Sequence, residues 1–360
     1  MSSMKRDAGL RWHDLPPPVL SLLRQGSVIP AHPLALGPDR QFDKESQRAI
    51  SRYYLDAGSG GLAVGVHSTQ FAIREVGLYR PVLELAIETA REWTDRPLVM
   101  IAGAVGRTAQ AIEEARTARA MGYHAVLLSL AAMKGASEDE LIEHCAAVSA
   151  EMPLVGFYLQ TAVGGIPLSR AFWRRFAAIE NVVAIKVAPF NRYRTLDVAM
   201  GVAQAQAENR ITLYTGNDDH IVADLLMPLV VRTGNREVML RFQGGLLGHW
   251  SIWTAGAVQM LKQLKLSVSQ GAIPPEVLAL DSFVTDCNSV VFDVDHDFAG
   301  CIPGCHEILR RQRLMTSIEC LDPHEMLSPG QCEGIDRLYA TYPELNDDAF
   351  VAANLARWRN

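Results

Sequence analysis

Short apolar runs alternate with longer amphipathic ones from about residue 27 to residue 266, and this alternation constrains the chain more than any other property. The apolar runs are SVIPAHPLAL (27–36), GLAVGVH (61–67), LVMIAGAV (98–105), HAVLLSL (124–130), LVGFYL (154–159), VVAIKVA (182–188), ITLYTGN (211–217) and VMLRFQGG (238–245). Each has strand length and is apolar almost throughout, as expected of parallel strands buried on both faces. Between them lie helical patterns such as DKESQRAISRYYLDAG, TAQAIEEARTARAMG, SEDELIEHCAAVSAEM, PLSRAFWRRFAAIE and HIVADLLMPLVV. Ser137 precedes the acidic EDE, Pro167 suits a first helical turn, and Gly58 and Gly122 follow helix ends. Eight strands alternating with eight helices over roughly 240 residues predict an α/β chain folded as a (β/α)₈ TIM barrel. A doubly wound open sheet is the alternative, and periodicity alone does not separate the two.

Residues 267–360 carry helical patterning in EILRRQRL, QCEGIDRLYATY and DDAFVAANLARW, with no further alternation. They read as a C-terminal helical extension packed on a barrel of residues 27–266. Residues 1–26 read as a short leading helix interrupted by the PPP of residues 16–18. Hydrophobic residues make up 49% and charged residues 21%, enough for a sizeable core. The net charge of -6, without a basic stripe or RNA-binding motif, excludes nucleic acid as a partner. The opening MSSMKRDAGLRWHDLPPPVL lacks the pattern of a secretion signal, and no run approaches the roughly 20 apolar residues of a membrane helix. Six cysteines are too sparse for a disulfide scaffold. Together these features predict a cytoplasmic protein with no membrane partner.

One lysine interrupts VVAIKVA. Alternate strand residues point to opposite faces, so Val183, Ile185 and Val187 share one face while Val182, Ala184, Lys186 and Ala188 share the other. Bulky residues suit the helix-facing side and small ones a crowded interior, which turns Lys186 inward near the C-terminal end of its strand. In this fold that end carries the chemistry. By the same rule His67 shares a face with Ala63 and Gly65, and Tyr158 shares one with Gly156, 28 residues before the lysine. A buried amine loses its proton more readily than a free one. Once neutral, it attacks a ketone to form an imine, an electron sink for C–C or C–O cleavage, and a phenol shuttles protons. HSTQ (67–70) supplies hydroxyls in a strand-to-helix loop, suited to holding a keto acid's carboxylate without a metal.

The chain resembles the dihydrodipicolinate synthase / N-acetylneuraminate lyase family of class I pyruvate aldolases. The likeness rests on NVVAIKVA, PLVGFYLQ, IPAHPL, AGSGGLAVGVHSTQF and YTGNDD, and extends over roughly 27–265. It implies that Lys186 forms the imine with a 2-keto acid such as pyruvate or a 2-keto-3-deoxy sugar acid. It implies also that Tyr158 assists proton transfer, that Ser68 and Thr69 lie at the carboxylate, and that the protein is a homo-oligomer, dimer or tetramer. The family's G-T/S-T-G-E loop aligns with Val66, His67, Ser68, Thr69 and Gln70, so His67 replaces the first hydroxy residue and is expected to act as an altered acid/base. No tyrosine stands in LAAMKGAS, where the family's partner-subunit tyrosine belongs, and Val163 stands where dihydrodipicolinate synthases have an arginine. This implies a divergent member rather than the lysine-biosynthesis synthase. His32 aligns near the pocket, where a packed or hydrogen-bonded histidine is the first reading, and Arg74 is a candidate for the substrate's distal anion or else a solvated surface arginine.

Other motifs carry less. Cys301-x-x-x-Cys305-His306 has no second ligand pair at zinc spacing, and DVDHD (293–297) lacks the glycine and distal glutamate of a calcium loop. No metal and no cofactor is therefore called for. FQGGLLG (242–248) keeps open a phosphate-binding barrel using Gly244 and Gly245 without an imine. A third reading is a barrel that binds keto acids or sugar acids without turnover. The leading expectation is a metal-independent, Schiff-base-forming lyase, either aldolase or dehydratase.

Overall fold

Ten strands form in the computed structural model, which describes residues 9–360. They are β1 (Val28–Pro30), β2 (Gly61–Val64), β3 (Val99–Ala104), β4 (Ala125–Leu128), β5 (Leu154–Leu159), β6 (Val182–Ala188), β7 (Thr212–Thr215), β8 (Leu229–Thr233), β9 (Arg236–Leu240) and β10 (Phe242–Leu247). Eight of them pair in parallel in the order β1-β10-β7-β6-β5-β4-β3-β2. A parallel bridge between Ala31 and Ala63, with the His32 N–H donating to the Ala63 carbonyl at 2.8 Å, joins the two ends. That closure makes a barrel and removes the open-sheet alternative. The strands present two apolar faces. Ile29, Ala63, Ile101, Leu127, Val155 and Ala184 fill the interior, while Leu62, Val64, Met100, Val126, Leu128 and Ile185 meet the surrounding helices.

The leading segment plugs the barrel floor; residues 1–8 of it lie outside the described residues. The helix Pro17–Gln25 begins with proline at a position whose N–H needs no partner. Its Val19 and Leu23 join the interior cluster, and the Tyr214 hydroxyl donates to the Leu23 carbonyl at 2.8 Å. The Trp12 N–H donates to Asn181 Oδ1 at 2.8 Å just before β6, fixing this segment at the N-terminal ends of the strands.

Two expectations need correction. The pattern HIVADLLMPLVV is not one helix. Helix Ile221–Leu226 ends before Pro228, and β8 and β9 form an antiparallel hairpin outside the barrel, turning at Gly234 with φ +60°. The eighth barrel strand is therefore β10, and the predicted VMLRFQGG straddles the hairpin and the barrel. The alternation of buried Val231 and Val238 with exposed Val230 and Met239 is the signature of this half-buried ribbon. The proposed boundary at 266 also falls inside the helix Thr254–Gln270.

Beyond that helix, four more follow at Pro275–Val291, Cys301–Arg311, Gln331–Thr341 and Asp348–Arg359. The last packs on Lys44–Ala57, where the Tyr53 hydroxyl donates to Asp347 at 2.7 Å and the Arg52 guanidinium to the Trp358 carbonyl at 2.7 Å. The segment around 292–305 crosses the C-terminal mouth of the barrel, where Phe292, Phe298 and Ile302 reach the cavity described next. Among the described residues, no helix is long and apolar enough to cross a membrane.

Candidate active site

Lys186 sits on β6 with Ala184 and Ala188 on the interior side, while Ile185 and Val187 point to the helices. An irregularity in the β5–β6 register shifts the strand's first residues, so Val183 is inside and Val182 outside, the reverse of strict alternation. The lysine is only 8% exposed. Its stem runs beside Gly216, where a Cβ would lie 2.7 Å from Lys186 Cε and 2.8 Å from Ala188 Cβ. Glycine after β7 is thus what gives the side chain its path. Nζ stands 4.5 Å from the centre of the Phe157 ring, and β5 and β6 are registered so that Phe157 faces Lys186. Burial holds the amine below the ordinary lysine value, and the Asp218 carboxylate opposes that shift. Asp218 is pushed above the usual carboxylate range by its own burial, opposed by Lys186.

The loop after β7 positions Asp218. Asp224, fully buried, accepts from the Thr215 hydroxyl at 2.6 Å, Asn217 Nδ2 at 2.9 Å and Arg192 Nη1 at 2.6 Å. The His249 N–H donates to Asp218 Oδ1 at 3.3 Å. A carboxylate anchored in this way keeps its place beside the lysine without a direct ion pair.

His67 and Ser68 line the same cavity, about 660 Å³ of empty space counting its open mouth. Gly65, at φ +75°, ends the β2 alternation and starts the 3-10 turn His67–Thr69. Thr69 Oγ1 accepts from the Gly65 and Val66 N–H groups at 2.9 and 3.1 Å and donates to the His32 carbonyl at 2.7 Å. Thr69 therefore shapes the turn and is not among the cavity's lining residues. The Ser68 hydroxyl donates to the Ala31 carbonyl at 2.8 Å from a position facing the cavity. Burial and the nearby Lys186 pull the His67 imidazole down to about 4, so it is neutral at pH 7.

Two candidates for the site, Tyr158 and Arg74, point elsewhere, and His32 is the packed histidine of its first reading. Tyr158 faces the helices. Its ring packs on Trp173 at 5.1 Å, and its hydroxyl donates to the Leu168 carbonyl at 3.1 Å while accepting the Leu168 N–H at 3.2 Å. Gly156 does share its face, but it is small because Phe176 of the outer layer presses there: a Cβ would lie 2.6 Å from that ring. His32 is packed edge-on to Tyr54, with Nε2 2.8 Å from the Ser51 hydroxyl and Nδ1 2.9 Å from the Pro33 carbonyl. Arg74 clamps Glu114 with Nε and Nη2 at 2.9–3.1 Å and donates to the Gly65 and Gly103 carbonyls, which places it behind the loop. Its Nη1 has no partner. Gly244 and Gly245 lie within β10, where close packing against Ser27 and Trp250 requires their size. They form no open phosphate loop. Sequence reasoning missed Asp218, Phe157 and the aromatic roof. The YTGNDD motif was the available signal for Asp218.

A closed barrel with a buried amine at its C-terminal mouth is the frame expected of an imine-forming lyase. Over residues 25–230, more than half its length, the sequence matches the dihydrodipicolinate synthetase family, and the chain belongs to it. It is 26% identical over 218 residues to a 4-hydroxy-tetrahydrodipicolinate synthase of Moorella thermoacetica, covering 59% of this chain and 68% of that one. It is 32% identical over 103 residues to a probable 5-dehydro-4-deoxyglucarate dehydratase of Acinetobacter baumannii, covering 29% of this chain and 33% of that protein. Among solved structures, the fold is similar to a dihydrodipicolinate synthase from Acinetobacter baumannii complexed with pyruvate. That match has TM-score 0.72 and 18% identity, and covers 91% of this chain and 99% of that one. An N-acetylneuraminate lyase from Fusobacterium nucleatum complexed with pyruvate is similar at TM-score 0.68 and 17% identity, covering 89% of this chain and 98% of that one.

Proposed function

We propose that the protein is a lyase that binds a 2-keto acid as an imine on Lys186. The observation that carries this is a buried amine of lowered basicity, aimed from the barrel interior into a cavity at the C-terminal mouth. The neutral amine adds to the C2 carbonyl, and water leaves to give an iminium. In the aldolase direction, the proton of the C4 hydroxyl passes to a base and the C3–C4 bond breaks. Its electron pair flows into the iminium, releasing an aldehyde and leaving an enamine. Protonation at C3 and hydrolysis then return pyruvate and the free amine. The Ser68 hydroxyl, turning from the Ala31 carbonyl, and the leading N–H groups of its turn hold the carboxylate.

Asp218, raised toward neutrality by burial, is matched to the base role. His67, lowered to about 4, serves as a neutral acceptor in the same cavity. His67→Ala with full turnover would remove the histidine from this assignment. Borohydride treatment with pyruvate tests the whole reading. A reduced adduct on Lys186, lost in Lys186→Met, is expected, and an unmodified lysine under saturating pyruvate refutes it. A second reading, binding without turnover, is favoured by Phe157 facing the amine where a phenol was expected. An adduct without cleavage of any keto acid would select it.

A further inference from the structure

The cavity is polar at the strand ends and apolar across its roof. The strands and their loops supply Lys186, Asp218, His67, Ser68 and Gln160, whereas the C-terminal region supplies Phe292, Phe298, Cys301, Ile302 and Cys305. Among the described residues lining the cavity, Lys186 is the only lysine or arginine and Ser68 the only hydroxyl. A second carboxylate or a phosphate on the substrate would have no cation beyond the amine that reacts. Hydroxyls near the strand ends would meet Asp218, His67 and Gln160, but those lying against Phe292, Phe298 and Ile302 would lose water without regaining hydrogen bonds.

The aromatic wall is held in place against local backbone preference. Phe190 has φ +49° and Phe298 φ +67°, a region bulky residues rarely adopt. Their rings meet edge to face with centroids 5.8 Å apart. The Phe190 N–H donates to Asn217 Oδ1 at 3.1 Å, and the Phe298 N–H to the Asp293 carbonyl at 2.9 Å. Phe292 is seated over Gly248, where a Cβ would lie 3.0 Å from its ring. Backbone strain of this kind persists where surrounding structure enforces it, and it concentrates at ligand clamps.

We propose that the site selects a 2-keto acid whose far end is aromatic, held among Phe190, Phe292 and Phe298, in preference to a sugar acid or a second anion. This rests on the imine reading above. Cleavage of a 4-aryl-4-hydroxy-2-oxo acid by the sequence already given releases an aromatic aldehyde and pyruvate, with no co-reactant other than the water lost and regained at the imine.

Calorimetric titration of full-length Lys186→Met protein, which cannot form the imine and so does not consume the ligand, with 4-hydroxy-2-oxo-4-phenylbutanoate and with 2-keto-3-deoxygluconate ranks the two. The aryl acid is expected to bind with a Kd lower by roughly tenfold or more, the scale of one buried ring. Equal affinity, a preference for the sugar acid, or binding of neither overturns the proposal. Phe298→Ser and, independently, Phe292→Ser, each added to that variant, are expected to raise the aryl-acid Kd relative to the pyruvate Kd, and an unchanged ratio in both counts against the aromatic wall. Borohydride trapping of the unaltered protein with pyruvate, run in parallel, separates the two failures. A missing adduct sinks the imine, while an adduct with the sugar acid preferred sinks only the distal selectivity.

Discussion

Removing Glu114 should destabilise the protein far more than removing a surface carboxylate. Its side chain is 7% exposed and that of Arg74 9%. It accepts Arg74 Nε at 3.0 Å and Nη2 at 2.9 Å, Gln110 Nε2 at 2.8 Å and the Val105 N–H at 3.0 Å. Glu114→Leu strands a buried guanidinium, and breaking such a pair costs about 3–5 kcal/mol. With an unfolding entropy of about 2.1 cal/mol/K per residue, a chain this long shifts by about 1.3 °C per kcal/mol, giving a fall in Tm of about 4–7 °C. Arg74→Met alone should cost a similar amount. The double variant should recover much of the loss, because no charge remains unpaired. Thermal melts of the four proteins by circular dichroism complete the cycle. A loss below about 1 kcal/mol for Glu114→Leu, the range of exposed pairs, would refute the reasoning. So would a double variant as unstable as the sum of the singles.

The remaining predictions concern the site and its pH response. Gly216→Ala places a methyl against Lys186 and Ala188, so pyruvate trapping should slow by roughly tenfold or more while the melt moves little; an unchanged trapping rate would mean the lysine stem has another path. Tyr158→Phe leaves the Leu168 backbone short of a partner, costing about 1 kcal/mol in urea unfolding, and should leave trapping unaltered, since the hydroxyl faces the helices. Asp218→Asn removes the charge that favours the ammonium, so the pH midpoint of trapping should move down, and an upward move would contradict the pairing. His32, His249 and His306 are each lowered by burial from 6.5 to about 4. The unfolded chain therefore binds more protons below pH 6.5, and stability present at pH 7 is lost as pH falls toward 4. At pH 5 this amounts to about 2 kcal/mol for each histidine, and equal urea midpoints at pH 7 and pH 5 would exclude it.

The barrel was legible because parallel strands buried on both faces leave unbroken apolar runs, whereas the ring closure at Ala31 and Ala63 and the true eighth strand, β10, lay beyond periodicity. The inward position of Lys186 was legible for the same reason, as a lone charge in an otherwise apolar run. Tyr158 was misread because smallness marked the wrong side: Gly156 yields to Phe176, a contact between residues 20 apart in the chain. Arg74 and Glu114 are separated by 40 residues, and no local pattern announces a pair of that kind. The hairpin escaped because its outward residues are hydrophobic, so Val230 and Met239 disguised a ribbon as a helix and a core strand.

The roof of the cavity is written late in the chain. All eight barrel strands are complete by Leu247, yet Phe292, Phe298 and Ile302 come some 45 residues or more afterwards. The strands frame the cavity from one side and the C-terminal region covers it from the other. A change confined to residues 292–305 would therefore alter the cover of the cavity while leaving every barrel strand intact.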